Sequence, residues 1–468
     1  MGREYTLDEL REKIFQGGPT AERDAWLEIM GNTMREFCRK VRRAVDSVDP
    51  SIRCGFCSGY TSWDIEGADA IELTKILAGN TKPFLRFTGA PYWSTKDAGR
   101  FDNQKLQTAI ELSRAQCKWC EGQGIEVFHE ADSYPRPTTH VPAAYVECFD
   151  IPLVASGGMD RLKYMLDYQN DERYEPTYLK HHLHNIPLCD FIEEHFDGKK
   201  AVGVQVCQHQ FKIQKQLLPA EFMGDRNIAR TFFTPDATAL VANGIPTTYD
   251  ENPEAGVAFG EECRHLQALP KKLYTDVKGA LIMQERGFDC GLKEAAPAEI
   301  PAFEQFADHK VWYFYKTRGG KYFSCKLKEG AKVESIFNIL DKEDVPASYK
   351  YAAGGTEFLV ICADALTLNN SADLLYNIPR QKQLMEFFPQ YPALKEHPFV
   401  YTLVKKDAEE TAILLTNIHD DAIFDGIVTL DGEYKELQAC GIKATLQGDK
   451  IRLDEPLYPY QSAAFVLK

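Results

Sequence analysis

Apolar residues recur at steps of three and four between residues 24 and 45. Trp26, Leu27, Met30, Met34, Phe37, Cys38, Val41 and Val45 fall on one stripe. That spacing predicts a long amphipathic helix, set off by the Gly17-Gly18-Pro19 break before it. The period then shortens. Arg53-Cys54-Gly55-Phe56-Cys57 reads as a short buried strand. Ile71, Leu73, Ile76 and Leu77 mark a second helix, with Gly79 suited to its C-terminal cap. Pro83 to Phe87 reads as a second strand, running into the loop Gly89-Ala90-Pro91-Tyr92-Trp93. Leu106, Ile110, Leu112 and Cys117 predict a third helix over 103–120. Ile125 to Glu130 is a third strand, Pro142 to Val154 is helix-compatible, Leu162 to Tyr168 is a fourth strand, and Tyr178 to Phe196 is a last helix.

This alternation predicts a parallel sheet with crossover helices. It holds four strands, where a closed (β/α) barrel needs eight. The chain also opens on a helix-forming segment, with no strand before it. Near residue 198 the texture changes. Ala201 to Val206, Ile245 to Tyr249 and Val257 to Phe259 read as strands, Pro235 to Asn243 and Val277 to Gly287 as helices. The region continues through a β-rich insertion (Val311 to Cys325) to a helix at Ser371 to Phe388. From Phe399 the helices stop. Short strands separated by polar turns at Phe399–Val404, Thr411–Asn417, Gly426–Leu430, Lys443–Leu446, Lys450–Leu453 and Ala463–Leu467 predict a small all-β sandwich. The expected division is 1–197, 198–395 and 396–468.

A length of 468 residues with 44% hydrophobic content suits several globular units. A net charge of −15 argues against nucleic acid or an anionic membrane as partner. No apolar run reaches the roughly 18 residues of a membrane span. The 13 cysteines, odd in number and scattered, read as reduced thiols of a cytoplasmic protein. Cys54-x-x-Cys57 and Cys117-x-x-Cys120 have zinc-like spacing. One pair lies in a strand run and the other in a helical run, so buried thiols are the expectation.

The strand ends carry the chemistry. Tyr60, Trp63 and Asp64 follow the first strand, and Tyr92 and Trp93 the second. Glu130, Asp132, Tyr134 and Arg136 follow the third, and Asp167 and Tyr168 stand at the fourth. Barrels present catalytic groups at strand C-termini, and carboxylates mixed with aromatic faces suit a sugar. Glu130 is the candidate nucleophile; a second carboxyl group across the scissile bond is not evident. No glycine-rich phosphate loop follows any strand, so no cofactor is expected. Cys207 follows a strand but lacks the small flanking residues of a nucleophile elbow. His181, His182 and His184 read as surface or helix N-terminal histidines rather than a metal site.

In the order of its units the chain resembles the family 42 glycoside hydrolases, the three-domain bacterial β-galactosidases, and a less characterised group of related bacterial proteins; the likeness to the β-galactosidases is mainly architectural. The resemblance rests on Ile76 to Arg86, the Glu130–Pro137 loop, Leu162 to Tyr168, Pro246-Thr247-Thr248-Tyr249, Ala258-Phe259-Gly260-Glu261, Asp276 to Ala280, and Tyr458 to Phe465. It implies the C-terminal half of a TIM barrel, a class I glutamine-amidotransferase-like (flavodoxin-like) α/β domain that builds oligomers, and a C-terminal β-sandwich. The four strands become the fifth to eighth of the barrel, with Glu130 at the nucleophile position. Asp132, Trp93, Tyr134, Arg136, Trp63 and Asp167 would line the sugar site. The acid/base residue would lie upstream of Met1, so the chain resembles a truncated form with little activity alone. The resemblance implies a retaining mechanism on a glycoside substrate and a trimeric or dimeric homo-oligomer. The alternative is a non-catalytic protein whose degenerate barrel binds carbohydrate or only assembles.

Overall fold

The computed structural model describes residues 4–59, 63, 67–91, 95–96, 100–101, 103–133, 141–163, 177–210, 212–218, 235–312, 321–365 and 377–468. The first part opens with helices α1 (Leu7–Phe15) and α2 (Ala21–Asp46). Thr6 and Glu9 form a capping box on α1, and the Thr20 hydroxyl accepts from the Arg23 N–H to cap α2. The Arg23 side chain, fully buried, donates to the carbonyls of Ile14, Gln16, Gly17, Ile213 and Gln216. It fixes the corner between the two helices and ties it to a segment nearly two hundred residues away.

Next come β1 (Phe56–Cys57), α3 (Ala70–Ala78), β2 (Phe84–Arg86), α4 (Asn103–Cys120), β3 (Glu126–Ala131), α5 (Ala143–Ser156), β4 (Asp160–Lys163) and α6 (Thr177–Phe196). The four strands pair in parallel and in chain order. Gly79 ends α3 at φ 57°, where a Cβ would also stand 2.9 Å from the Arg42 side chain. The fourth strand starts two residues earlier than its sequence pattern predicts and, within the described residues, runs to Lys163. The apolar run that follows it lies outside those residues.

Period-two alternation sets the two faces of this sheet. Val127, His129 and Ala131 turn to the helices and are buried. Glu126, Phe128 and Glu130 take the other face. This second face carries charge. Arg53 and Lys82 pair with Glu126, Arg86 pairs with Glu130, and the exposed Cys57 and Leu162 stand beside them. Cys57 is therefore not the buried thiol expected from its spacing.

The central part is one nine-stranded sheet. Its parallel strands, which follow β5 (Lys200–Ala201) in the chain, are β6 (Val204–Val206), β7 (Thr247–Thr248), β8 (Ala255–Val257), β9 (Lys272–Asp276) and β10 (Thr356–Ile361). Their spatial order is β10-β9-β8-β6-β7. Antiparallel strands at Val345–Ala353, Lys332–Asn338, Phe303–Gln305 and Lys310–Trp312 extend the sheet beyond β10. The last part has a five-stranded and a four-stranded sheet, which share a core of Leu394, Val428 and Ile451 with Ile413, Leu415 and Phe465. Pairing crosses the expected boundary at 395/396 twice. Lys200–Ala201 joins the five-stranded sheet through Val400–Lys406, and Ala393–Leu394 pairs with Ile427–Thr429. A second core presses Tyr145, Phe149, Ile192 and Phe196 of α5 and α6 onto Tyr401, Leu403 and Leu414 of the five-stranded sheet.

Candidate active site

Glu130 is the penultimate residue of β3, at the C-terminal end of a parallel strand. Its carboxyl is 5% exposed, and Oε1 accepts from Arg86 Nη1 at 2.6 Å. Parallel register aligns Arg86 with Phe128, so the guanidinium sits one step below the carboxylate on the neighbouring strand. Burial raises the Glu130 pKa most, the Arg86 charge opposes it, and the Asp132 charge pushes the same way as burial; the net shift is upward. Arg86 Nε is buried with no hydrogen-bond partner among the described residues, which leaves a spare donor beside the carboxylate.

Asp132 is half-buried, and its Oδ1 accepts from the Ser133 N–H at 2.6 Å. Trp63 departs from its expected place. It is 3% exposed, packs edge-on against Trp119 at 5.2 Å, and donates its indole N–H to Gln116 Oε1 at 3.1 Å. Gln116 in turn donates to the Thr88 carbonyl and to that of Leu112. The ring is a wall of the helix-facing core and offers no stacking platform to a sugar. Tyr60, Asp64, Tyr92, Trp93, Tyr134, Arg136, Asp167 and Tyr168 lie outside the described residues.

Behind Glu130, on the helix side of β3, sits a buried charge network that the sequence did not reveal. His129 Nε2 lies 2.7 Å from Asp150 Oδ1. Asp150 Oδ2 accepts from Lys163 Nζ at 2.8 Å, and Lys163 also pairs with Glu147 at 2.6 Å. Burial opposes ionisation of Asp150, but the His129 hydrogen bond and the Lys163 and Arg161 charges hold its pKa well below the usual carboxylate range. The only hint in the sequence was a His and a Glu adjacent on one strand, which must face opposite ways.

The other candidates have bland settings. Burial pushes the Cys207 thiol up to about 12, which makes it a poor nucleophile. His181, His182 and His184 lie within the first turns of α6, and His182 Nδ1 is 3.3 Å from Lys163 Nζ. Among the described residues no group of three or more His, Cys, Asp or Glu is arranged to hold a metal ion, and no helix is long and apolar enough to cross a membrane.

No protein-family profile and no curated protein sequence matches the chain. Solved structures do. A catalytic mutant of Gan42B, a GH42 β-galactosidase from G. stearothermophilus, superposes with a TM-score of 0.56 at 11% identity, covering 94% of this chain and 67% of that one. The fold is similar to that of GH42 β-galactosidases. A β-galactosidase from the haloarchaeon Halorubrum lacusprofundi gives a TM-score of 0.55 at 10% identity over 99% of this chain and 69% of that one. Alpha-L-fucosidase isoenzyme 2 from Paenibacillus thiaminolyticus gives 0.59 at 11% identity, over 93% and 71%. A further Gan42B structure is matched over 61% of its length. The chain thus spans 61–71% of the length of these enzymes.

Proposed function

We propose that the chain is a glycoside hydrolase-like protein acting on small β-glycosides by a retaining mechanism, with Glu130 as nucleophile. One observation carries this reading: a buried carboxylate at the C-terminal end of a parallel strand, held by a guanidinium from the next strand. In that place a nucleophile is shielded from water yet ionisable. Asp132, Trp93, Tyr134, Arg136 and Asp167 would frame the sugar. The acid/base carboxyl, required roughly 5–5.5 Å from the nucleophile, would come from outside the described residues.

The remaining organisation is proposed with it. Residues 1–197 are half of a (β/α) barrel. Residues 198–395 are an amidotransferase-like, flavodoxin-like unit, supported by the order of its five parallel strands: in chain order that is 2-1-3-4-5. Residues 396–468, with the strands that join them, are a β-sandwich. The central unit would assemble homo-oligomers. Light scattering on the purified chain should then give a multiple of 53.0 kDa; a monomeric mass at micromolar concentration removes that part.

The second reading, a non-catalytic carbohydrate-binding or assembly protein, draws on Asp132. Its Oδ1 accepts from the Ser133 amide, and Glu130 has no acid partner across from it among the described residues. The two readings separate in a trapping experiment. A 2-deoxy-2-fluoro aryl β-galactoside should leave a covalent sugar on the peptide containing Glu130, read by mass spectrometry. Glu130→Gln should abolish the adduct while sugar binding persists, because the amide keeps the shape and loses the charge. Sugar binding with no adduct in the parent protein favours the non-catalytic reading.

A further inference from the structure

After β6 the chain returns to the first region through residues 207–218, and two sets of contacts hold it there. On one side the His209 N–H donates to Glu262 at 2.7 Å and the Leu217 N–H to Glu261 at 3.3 Å. Both carboxylates belong to the short 3₁₀ helix Gly260–Arg264 that follows β8. On the other side Arg23 takes the carbonyls of Ile213 and Gln216, and Gly17 and Leu218 exchange backbone hydrogen bonds at 2.9 and 3.0 Å. One ring contact joins the first set: the imidazoles of His209 and His265 stack, with 4.0 Å between centroids and 12° between planes. We propose that this stack is a pH-sensitive latch: ionisation of His265 releases residues 207–218, and with them the tie between the α1–α2 corner and the central sheet. The proposal does not depend on the glycosidase reading.

His265 Nε2 is buried and has no hydrogen-bond partner among the described residues. The neutral ring can leave Nε2 as a bare lone pair and carry its proton on Nδ1. The imidazolium cannot, because both nitrogens then bear N–H. A charged donor would stand inside without an acceptor, which is the costlier state. The nearby carboxylates are engaged elsewhere: Glu262 and Glu261 by the His209 and Leu217 amides, and Glu261 also by Arg264 Nε at 3.2 Å. Cations surround the ring as well. Lys215 faces it from the 207–218 segment and Arg264 from its own turn, and Arg286 holds the Cys263 and Leu266 carbonyls of the same stretch. Burial lowers the His265 pKa most, Lys215 and Arg264 push the same way, and Glu262 and Glu261 oppose; the net shift is downward.

Closed, the latch makes His265 resist a proton. Open, in water, the ring takes one near its ordinary value of about 6.5. The latch is therefore at full strength above that pH and weakens as pH falls below it, toward the depressed value of the closed state. Asp276 accepts from the Gly260 N–H at the start of the same turn and has the opposite dependence, because its raised pKa adds stability as pH falls. A loosening on acidification cannot come from Asp276.

Hydrogen exchange on the full chain, read by mass spectrometry and corrected for the pH dependence of intrinsic exchange, tests this. Between about pH 7.5 and about pH 5.5 the opening constant of peptides spanning 207–218 should rise about three-fold or more, while peptides of β9 keep theirs. His265→Phe keeps a ring in the stack and cannot ionise, so its opening should not change with pH. Should that variant fail to fold, His265→Gln, which cannot ionise either, must show the same independence. Glu262→Gln leaves the titrating ring in place and should retain the rise. The proposal falls if exchange over 207–218 is independent of pH in the parent, if β9 peptides open in step, if a folded His265 variant retains the parent's dependence, or if Glu262→Gln abolishes it.

Discussion

At Glu130, ionisation is a contest between burial, which favours the neutral acid, and Arg86, which favours the carboxylate. Arg86→Gln keeps a hydrogen-bond donor but removes the opposing charge. The Glu130 pKa, already raised by burial, should climb further. The acid limb of the pH profile of covalent trapping should move to higher pH by the same amount, and Arg86→Lys should restore much of it. An unmoved limb would mean that Arg86 serves only the fold. Glu130 was legible because a carboxylate closing a β-prone run has one obvious place in a parallel sheet. Arg86 was not, because its role depends on the register that sets Arg86 against Phe128, and a single sequence does not contain register. Trp63 was misplaced for a related reason. Its indole meets Gln116, 53 residues on, and only the folded chain shows that this bond turns the ring inward.

At the scale of elements, long apolar stripes were readable and short strands were not. The helices at Ala21–Asp46, Asn103–Cys120 and Thr177–Phe196 lie within a few residues of their predicted spans. Leu437–Cys440 escaped notice because its outward face is neither alternating nor apolar, and Ala393–Leu394 because two residues carry no period. The joint between β9 and the helix α8 (Val277–Glu285) shows what a short strand depends on. Asp276 ends the strand and caps the helix, fully buried, its carboxylate accepting from the Gly260, Gly279 and Ala365 N–H groups at 2.7–2.9 Å. Burial and the Asp364 charge outweigh those bonds and push its pKa up to about 6. The native state therefore binds this proton more tightly than the unfolded chain, whose Asp titrates near ~3.9. The contribution to stability is greatest below that value and is lost as pH rises through about 6. Urea titrations of the parent should show the fall, and Asp276→Asn should flatten it. Asp276→Ala should cost about 2–4 kcal/mol, through the lost cap and orphaned amides. A pH dependence identical in parent and Asn variant would remove Asp276 as its source.

Across the whole molecule, the three regions meet at one buried polar cluster. Arg114 on α4 donates to Glu111 at 2.7 Å, to the hydroxyl and carbonyl of Thr247 on β7 at 2.7 and 2.9 Å, and to the Tyr401 hydroxyl at 3.0 Å. Tyr401 and Tyr249 donate their hydroxyl protons back to Glu111, at 2.6 and 3.0 Å. Each region thus contributes a member: the first its ion pair, the central one Thr247 and Tyr249, the last Tyr401. Every hydrogen bond named here joins residues more than a hundred positions apart, except that of Glu111 with Arg114. The cluster also bears on the site, because α4 packs on β3 and the strands β1 to β4 have no other sheet beside them among the described residues. Breaking a buried pair by removing one partner costs about 3–5 kcal/mol, whereas replacing both with apolar groups is often close to neutral. Arg114→Met should therefore destabilise by about that amount, because Glu111 is left charged in the interior. Adding Glu111→Leu should recover a large part, short of the parent, because Thr247 and both tyrosines still lose partners worth about 1 kcal/mol each. If the cluster couples the regions, the Arg114→Met transition in urea should also broaden, with a lower slope than the parent's, as the first region unfolds ahead of the rest. A cost below about 1 kcal/mol with an unchanged slope would mean that the apolar core of α5, α6 and the five-stranded sheet joins the regions unaided.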